Sequence, residues 1–522
     1  MFCRKMHIRG EFILSLPLLL NVLFLFDTSS VCAQTSFKLS ECIDNDCDKI
    51  VSVTQEETTQ NIYVTTQRSL KILAENLTLI KEVNTAGDNN VLTILRGSEI
   101  LNCKNDNSGT CELRDSSSLA EISKEITGSD VTYPGSGPIV GWIDKGLDGR
   151  TVLTTALSTK DSVNVAQPLP LVSTRTFPSR GNSSSSNGGN LKLLTDDYSV
   201  PSSYLQPSPC LADDIEPFYG FTVANYRYIL KTHMPTEERG VTQVKLIRLC
   251  KNDQTYRSYM ELPLECQGHN EGLTGQTEFV SSVAYYTNGV LYVTFTKKAD
   301  QSIKTYICQY SIELITNRFN NRRRECLEGV TKTTEIHWHR LNYCPKAPPP
   351  QFNFSLLDDP DYCYSEPHAQ PLGGNEAIVQ TALAHPRVEA TVVALLVVAP
   401  TYRGDTVYLL GDNSGSIRKV SSDGSNWEED TPTSVPSDIL KQYGLLLHRD
   451  EEHYYVVTET EIFKHPLYEA SPTEPRPTTV QPRTTRRTFK RPSTETNSGA
   501  ETRQCGFLVL AVVLSIKSFI WT

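Results

Sequence analysis

The chain is short of positive charge. Its 522 residues carry 50 Lys and Arg against 60 Asp and Glu, a formal net charge of −10. Phosphate backbones are bound by basic faces, so nucleic acid is excluded as the main partner. Cys-x-x-Cys pairs are absent, which removes the ligand spacing of zinc ribbons and the redox pair of thioredoxin-like sites. A nucleophile elbow, a His-Glu-x-x-His zinc motif, a phosphate loop and the kinase signatures are all missing. The chain is therefore read as a non-enzyme that needs no cofactor. Long amphipathic helices are scarce as well, and Ser311 to Arg324 is the one stretch read as a short helix.

What is present begins with an address. Arg4, Lys5 and Arg9 precede an apolar run from Phe12 to Phe26, and Val31-Cys32-Ala33 supplies small residues for a cut before Gln34. Residues 1–33 are expected to be a signal peptide, because the run is too short for a comfortable span of about 20 residues. The far end is apolar again, from Cys505 to Ile516, with Lys517 interrupting before Trp521-Thr522. Small residues, Asn497-Ser498-Gly499-Ala500, and a short polar spacer stand in front of it. That order matches the signal for a glycolipid (GPI) anchor, with Ser498 as the attachment site and 499–522 as the removed tail. A single membrane helix with Lys517 snorkelling is the alternative. Residues 470–498 are rich in Pro and Thr and carry Arg476, Arg483, Arg486, Arg487, Lys490 and Arg491, the composition of an extended, disordered stalk.

Of the 14 cysteines, Cys3 and Cys32 leave with the signal peptide and Cys505 with the tail. The remaining odd set, behind a signal peptide, reads as a disulfide framework with one thiol over. Cys210 has no near neighbour and is the candidate for that thiol, either free or bridging two chains. Three N-x-S/T sequons, at Asn76, Asn182 and Asn353, mark expected glycosylation sites on the surface. The sequence therefore places the protein on the extracellular face of the plasma membrane.

From Asn61 to Pro466 the chain is a succession of short β-rich runs separated by turn residues. The clearest pairs are 61–66 with 69–73, 91–95 with 99–103, 406–410 with 416–420, and 453–458 with 461–464. Gly411-Asp-Asn-Ser-Gly415 supplies a turn that accepts positive φ. More than 400 residues of hairpins exceed one sandwich. A propeller hides its strand edges by radial repetition, and it is the all-β architecture that fits. Ser173 to Asn190, rich in Ser, Gly and Asn, reads as a flexible surface loop.

The stretch from Leu249-Cys250 through Tyr259 to Glu261-Leu-Pro-Leu-Glu-Cys266 resembles the sema domain of plexins. Further stretches agree in order: 61–82, 91–113, Phe218-Tyr-Gly-Phe221 with Tyr226 to Leu230, Pro371-Leu-Gly-Gly374, and Tyr402-Arg-Gly404 running into 411–420. The resemblance covers roughly residues 40–469, within an expected sema domain of 34–469, and implies a seven-bladed β-propeller. It also implies the bridges Cys103–Cys111, Cys250–Cys363, Cys266–Cys308 and Cys326–Cys344. Cys42–Cys47 would close a small loop that fits the family less well. Plexins continue beyond the sema domain into further modules and a cytoplasmic signalling region. Here the stalk follows directly after Tyr468, so signalling from the chain alone is not expected.

The same resemblance implies a semaphorin or another sema-domain protein as partner, with a homodimer among the assemblies allowed. It points to a receptor, co-receptor or decoy. The competing readings are a semaphorin-like GPI-anchored ligand and a propeller hydrolase. Glycosidases of that last kind use paired carboxylates, for which Asp358, Asp359 and Asp361 are the candidates. Arg403-Gly404-Asp405 spells an integrin tripeptide, but the family carries Arg-Gly there as a hairpin entry. His337-Trp-His339 offers two imidazoles without a third ligand. Gly135-Ser-Gly137-Pro138 lacks the strand-to-helix context of a dinucleotide loop.

Overall fold

A computed structural model describes residues between Ser36 and Leu467, with breaks of which the longest are 127–138, 158–171, 177–203 and 330–352. The described strands form seven sheets, each built mainly from hairpin-connected antiparallel neighbours. In chain order the first blade runs from Ile50–Gln55 to Leu79–Asn84 and the second from Asn90–Arg96 to Glu121–Ile126. The third runs from Ile139–Lys145 to Tyr204–Leu205 and the fourth from Asp214–Val223 to Met260–Gln267. The fifth runs from Glu278–Phe279 to Ser302–Ser311 and the sixth from Val393–Pro400 to Thr433–Ser434. Leu445–Leu447, His453–Val457 and Glu461–Pro466 make most of the seventh.

The seventh blade takes its last strand from the start of the chain. Ser36–Lys38 pairs antiparallel with Glu461–Pro466, Phe37 opposite Ile462. The Leu39 amide donates to the Thr460 carbonyl at 2.9 Å, and Lys38 faces Glu461 at 3.3 Å. The ring is thus closed by sheet hydrogen bonds between residues more than 400 positions apart, which leaves no open sheet at the joint. The fold is all-β, a seven-bladed propeller.

Apolar clusters fill the seams between the blades. Ile50, Ile62 and Val64 meet Tyr455, Val457 and Ile462 across the closing joint. Tyr63 and Ile72 meet Ile100 and Leu119. Leu101 and Leu113 meet Leu153 and Leu157. Because each blade is packed on both sides, its middle strands are buried on both faces. Every residue of Ile62–Thr66 and Ser69–Leu73 is buried. The polar positions of these strands are buried too, so each needs a partner inside the seam. Thr65 reaches Thr93 of the second blade at 2.8 Å, and Thr93 reaches Asn102 at 3.0 Å.

Two expectations change. The stretch Ser173 to Asn190 does not begin as a surface loop. Val172–Thr176 is the third strand of the third blade, and Ser173, Thr174 and Arg175 are buried. Small polar residues are compatible with a buried strand when hydroxyls pair across it, as Thr155 does with Ser173 at 2.8 Å. Residues 177–190 lie outside the described set. The helix extends further than its pattern indicated, from Ile312 to Leu327.

Candidate docking platform

The fifth blade does not pass directly from its long strands to its outermost one. After Ser302–Ser311 the chain leaves the propeller, and it returns as Val388–Glu389, which pairs with the strand it left, Lys304 opposite Glu389. The excursion between is the largest departure from bare blades among the described residues.

It opens with the helix Ile312–Leu327. Ser311 caps it by accepting from the Leu314 amide at 3.1 Å; Glu313 sits at the positive end of the helix dipole and Arg324 at the negative end. Gly329 ends it at φ +70°, its amide bonded to the Cys326 carbonyl. Ile315, Phe319 and Cys326 share the face turned to the propeller and join the cluster of the fourth and fifth blades. Arg248, on the fourth blade, lies between two rings. Its guanidinium carbon is 4.4 Å from the Tyr226 centroid and 4.7 Å from the Phe319 centroid, which clamps helix to blade.

The excursion then adds strands to the fourth blade. A short 3-10 turn, Phe354–Asp358, packs Leu357 on Leu327. Leu372–Gly373 and Ile378–Thr381 pair parallel to Met260–Gln267. One bridge ties this path to the fourth blade, and a second joins the two blades beneath it. Cys250 on the fourth blade is joined to Cys363 of the excursion, and Cys266 to Cys308 across the fourth and fifth blades, each with Cα atoms 5.7 Å apart. Two blades and the excursion thus form one cross-linked platform on the rim.

The fourth blade beneath it is stiffened by buried charge. Glu261 accepts from Lys231 at 2.7 Å and Lys245 at 3.3 Å, and all three side chains are almost completely buried. Burial would raise the Glu261 pKa, but the two ammonium groups outweigh it and hold the carboxyl well below the usual range. Burial first, then the Glu261 charge, pushes the Tyr259 hydroxyl far above its ordinary value, so it stays a donor to that carboxylate. On the third-blade side, Asp144 takes a bidentate pair from Arg227 at 2.8 and 3.1 Å and a third bond from Thr222.

The cleft between Arg248, Asn320, Arg323 and Tyr362 measures about 10 Å³, room for a single water. No group of three or more metal-ligating side chains occurs among the described residues. The platform's outer surface is instead solvent-facing and mixed: Asn317, Asn321, Asp358 and Asp359 are exposed, with Val379 on the added strand 40% exposed.

The residues singled out from sequence fall as follows. Cys103 and Cys111 are bridged, directly opposite each other on adjacent strands of the second blade. Cys326 is disulfide-bonded, while its expected partner Cys344 lies outside the described residues. Cys42, Cys47, Cys210, Asn182, Ser498, His337, His339, Gly135 to Pro138, Arg403, Gly404 and Asp361 lie outside them too, as do the signal peptide, stalk and anchor segments. Asn76 and Asn353 are exposed. Asp358 pairs with Arg324 at the surface. Among the described residues no helix is long and apolar enough to cross a membrane. The Arg248 clamp and the Lys231–Glu261–Lys245 group were missed. Their signal was charge placed inside otherwise apolar strands, as in Ile229-Leu-Lys231 and Val244-Lys-Leu246.

Comparison with known proteins agrees with this geometry. Residues 276–440 match the Sema domain family model. Human Plexin-A2 is 28% identical over 443 residues, covering 76% of this chain and 21% of that protein. Human Plexin-A4 is 24% identical over 439 residues, covering 77% and 22%. The chain thus spans about a fifth of the length of these relatives. Among solved structures, the plexin A4 extracellular region superposes with a TM-score of 0.68 at 18% identity, covering 84% of this chain and 40% of that one. Drosophila Semaphorin 2a does so at 0.58 and 13%, covering 84% and 76%. Drosophila Plexin A in complex with Semaphorin 1b gives 0.51 and 12%, covering 83% and 88%.

Proposed function

Because this chain carries a plexin-like sema domain, we propose that it is an extracellular binding protein that docks the sema domain of a semaphorin against its propeller rim. The observation that carries the proposal is the cross-linked platform on the fourth and fifth blades. It is tied to the fourth blade by the Cys250–Cys363 bridge and by the helix packed on the blades, and it presents exposed residues to solvent, which suits docking of another protein's surface. The plexin-side role is supported by the sequence relatives Plexin-A2 and Plexin-A4, at 28% and 24% identity. As a receptor, co-receptor or decoy it would act at the plasma membrane, with residues 34–469 as the binding domain, 470–498 as stalk and a GPI anchor at Ser498. Asn182 would carry glycan, and Cys344 would complete the bridge from Cys326.

The experiment is a binding screen of the secreted protein against semaphorin and plexin ectodomains. Saturable binding to a semaphorin is expected, weakened severalfold by Val379→Glu with unchanged thermal stability. Binding to plexins alone would instead assign the ligand role. Release of the membrane-bound protein by a phosphatidylinositol-specific phospholipase tests the anchor; retention would favour a membrane helix.

A further inference from the structure

Large apolar side chains are rarely left open on the described surface, and those that are show a pattern. Four stand out: Leu79 at 48% exposure, Ile80 at 56%, Leu356 at 38% and Val379 at 40%. Three of the four follow a sequon asparagine by three or four positions. Leu79 and Ile80 follow Asn76, and Leu356 follows Asn353.

The two sequons share one local geometry. The Asn76 side-chain oxygen accepts from the Thr78 amide at 3.1 Å and the Thr78 hydroxyl at 2.7 Å. The Asn353 oxygen accepts from the Ser355 amide at 3.1 Å and the Ser355 hydroxyl at 2.7 Å. In both, the oxygen is held by the backbone of its own turn. Both asparagines are exposed, so a sugar on the amide nitrogen can be carried at the surface while these bonds to the oxygen are kept.

The apolar surface beside Asn76 is also the more hazardous one. Leu79–Asn84 is the outermost strand of the first blade, exposed at every position except half-buried Val83. Its register slips at Ile72 and Leu73, so that Ile80 is the extra residue of a bulge. An outer strand with adjacent exposed Leu and Ile is a template for pairing with another chain. Four extended residues span at most about 14 Å, within reach of a branched oligosaccharide rooted at Asn76.

We propose that N-linked glycans on Asn76 and Asn353 cover Leu79, Ile80 and Leu356, blocking self-association there and leaving the Val379 side of the platform open. The addition uses a lipid-diphosphate-linked oligosaccharide in the secretory pathway, which the disulfides already require. The Asn Nδ2–C1 bond forms as the C1–O bond to diphosphate breaks. One amide proton passes to the transferase's base, and the lipid diphosphate leaves.

The test uses protein secreted from eukaryotic cells. Glycopeptide mass spectrometry should find both asparagines occupied. Enzymatic deglycosylation of the folded protein should raise the fluorescence of an apolar-surface dye severalfold and shift its sedimentation from monomer toward larger species. A Leu79→Ser, Ile80→Lys, Leu356→Ser variant, deglycosylated in the same way, should show neither change. Unoccupied asparagines, or deglycosylation that moves neither dye nor sedimentation, would overturn the proposal. None of these readouts uses a partner, so failure here is separate from failure of the docking function.

Discussion

Gly220 has room for hydrogen only. A Cβ built there would stand 2.6 Å from Trp142 Cε3, and the indole cannot retreat while its Nε1 donates to Thr222 at 2.9 Å. Gly220→Ala should cost about 1–3 kcal/mol by overpacking the seam between the third and fourth blades, read as a lower urea midpoint at unchanged slope. Glu261→Gln should cost more, about 3–5 kcal/mol, because it leaves Lys231 and Lys245 buried without their counter-charge. His465 gives a pH signature. Burial lowers its pKa, and its ring stacks on Tyr454 with centroids 5.3 Å apart. The unfolded chain then binds the proton more readily, so stability is full above the unfolded value of about 6.5 and falls as the solution is acidified through the folded one. His465→Phe should flatten the stability profile between about pH 7 and 5, measured as urea midpoints across that range.

At the scale of elements, hairpins were legible and their environment was not. Ile62–Thr66, Ser69–Leu73, Thr406–Asp412 and Ser416–Ser422 are strands where β-branched and aromatic residues meet turn residues. Local pattern cannot tell a half-buried strand from one packed between blades, because Thr65 and Lys71 look solvent-facing and are buried. The same ambiguity turned Ser173 to Thr176 into an expected loop. The helix was visible in outline, from Ser311, but its role was not, since the Phe319–Arg248–Tyr226 sandwich joins residues far apart in sequence. The bridges at Cys250–Cys363 and Cys266–Cys308 came from family resemblance and could not have come from spacing. Replacing Cys266 and Cys308 together by Ser should cost about 2–5 kcal/mol, since that bridge ties the Met260–Gln267 strand of the fourth blade to the fifth. Calorimetry of the double variant checks it.

For the whole molecule, ring closure decides whether the blades act as one body. The Ser36–Lys38 strand supplies three paired positions and holds the two ends of the propeller together. The seven-bladed form was implied by resemblance, not by periodicity, because each blade has its own loop lengths and the fifth is interrupted by the excursion. The class of partner came from resemblance, and which member of it binds was not legible, since that depends on exposed residues that folding leaves free to vary. The most direct measurement of the central claim is equilibrium binding of the secreted, glycosylated protein to immobilised semaphorin ectodomains. The account predicts a saturable isotherm for at least one of them, weakened by Val379→Glu. Gly97→Ala, at a positive-φ turn of the second blade away from the platform, should lose binding only in proportion to any loss of folded protein. Isotherms that fail to saturate for every semaphorin, from protein shown to be folded, would contradict it.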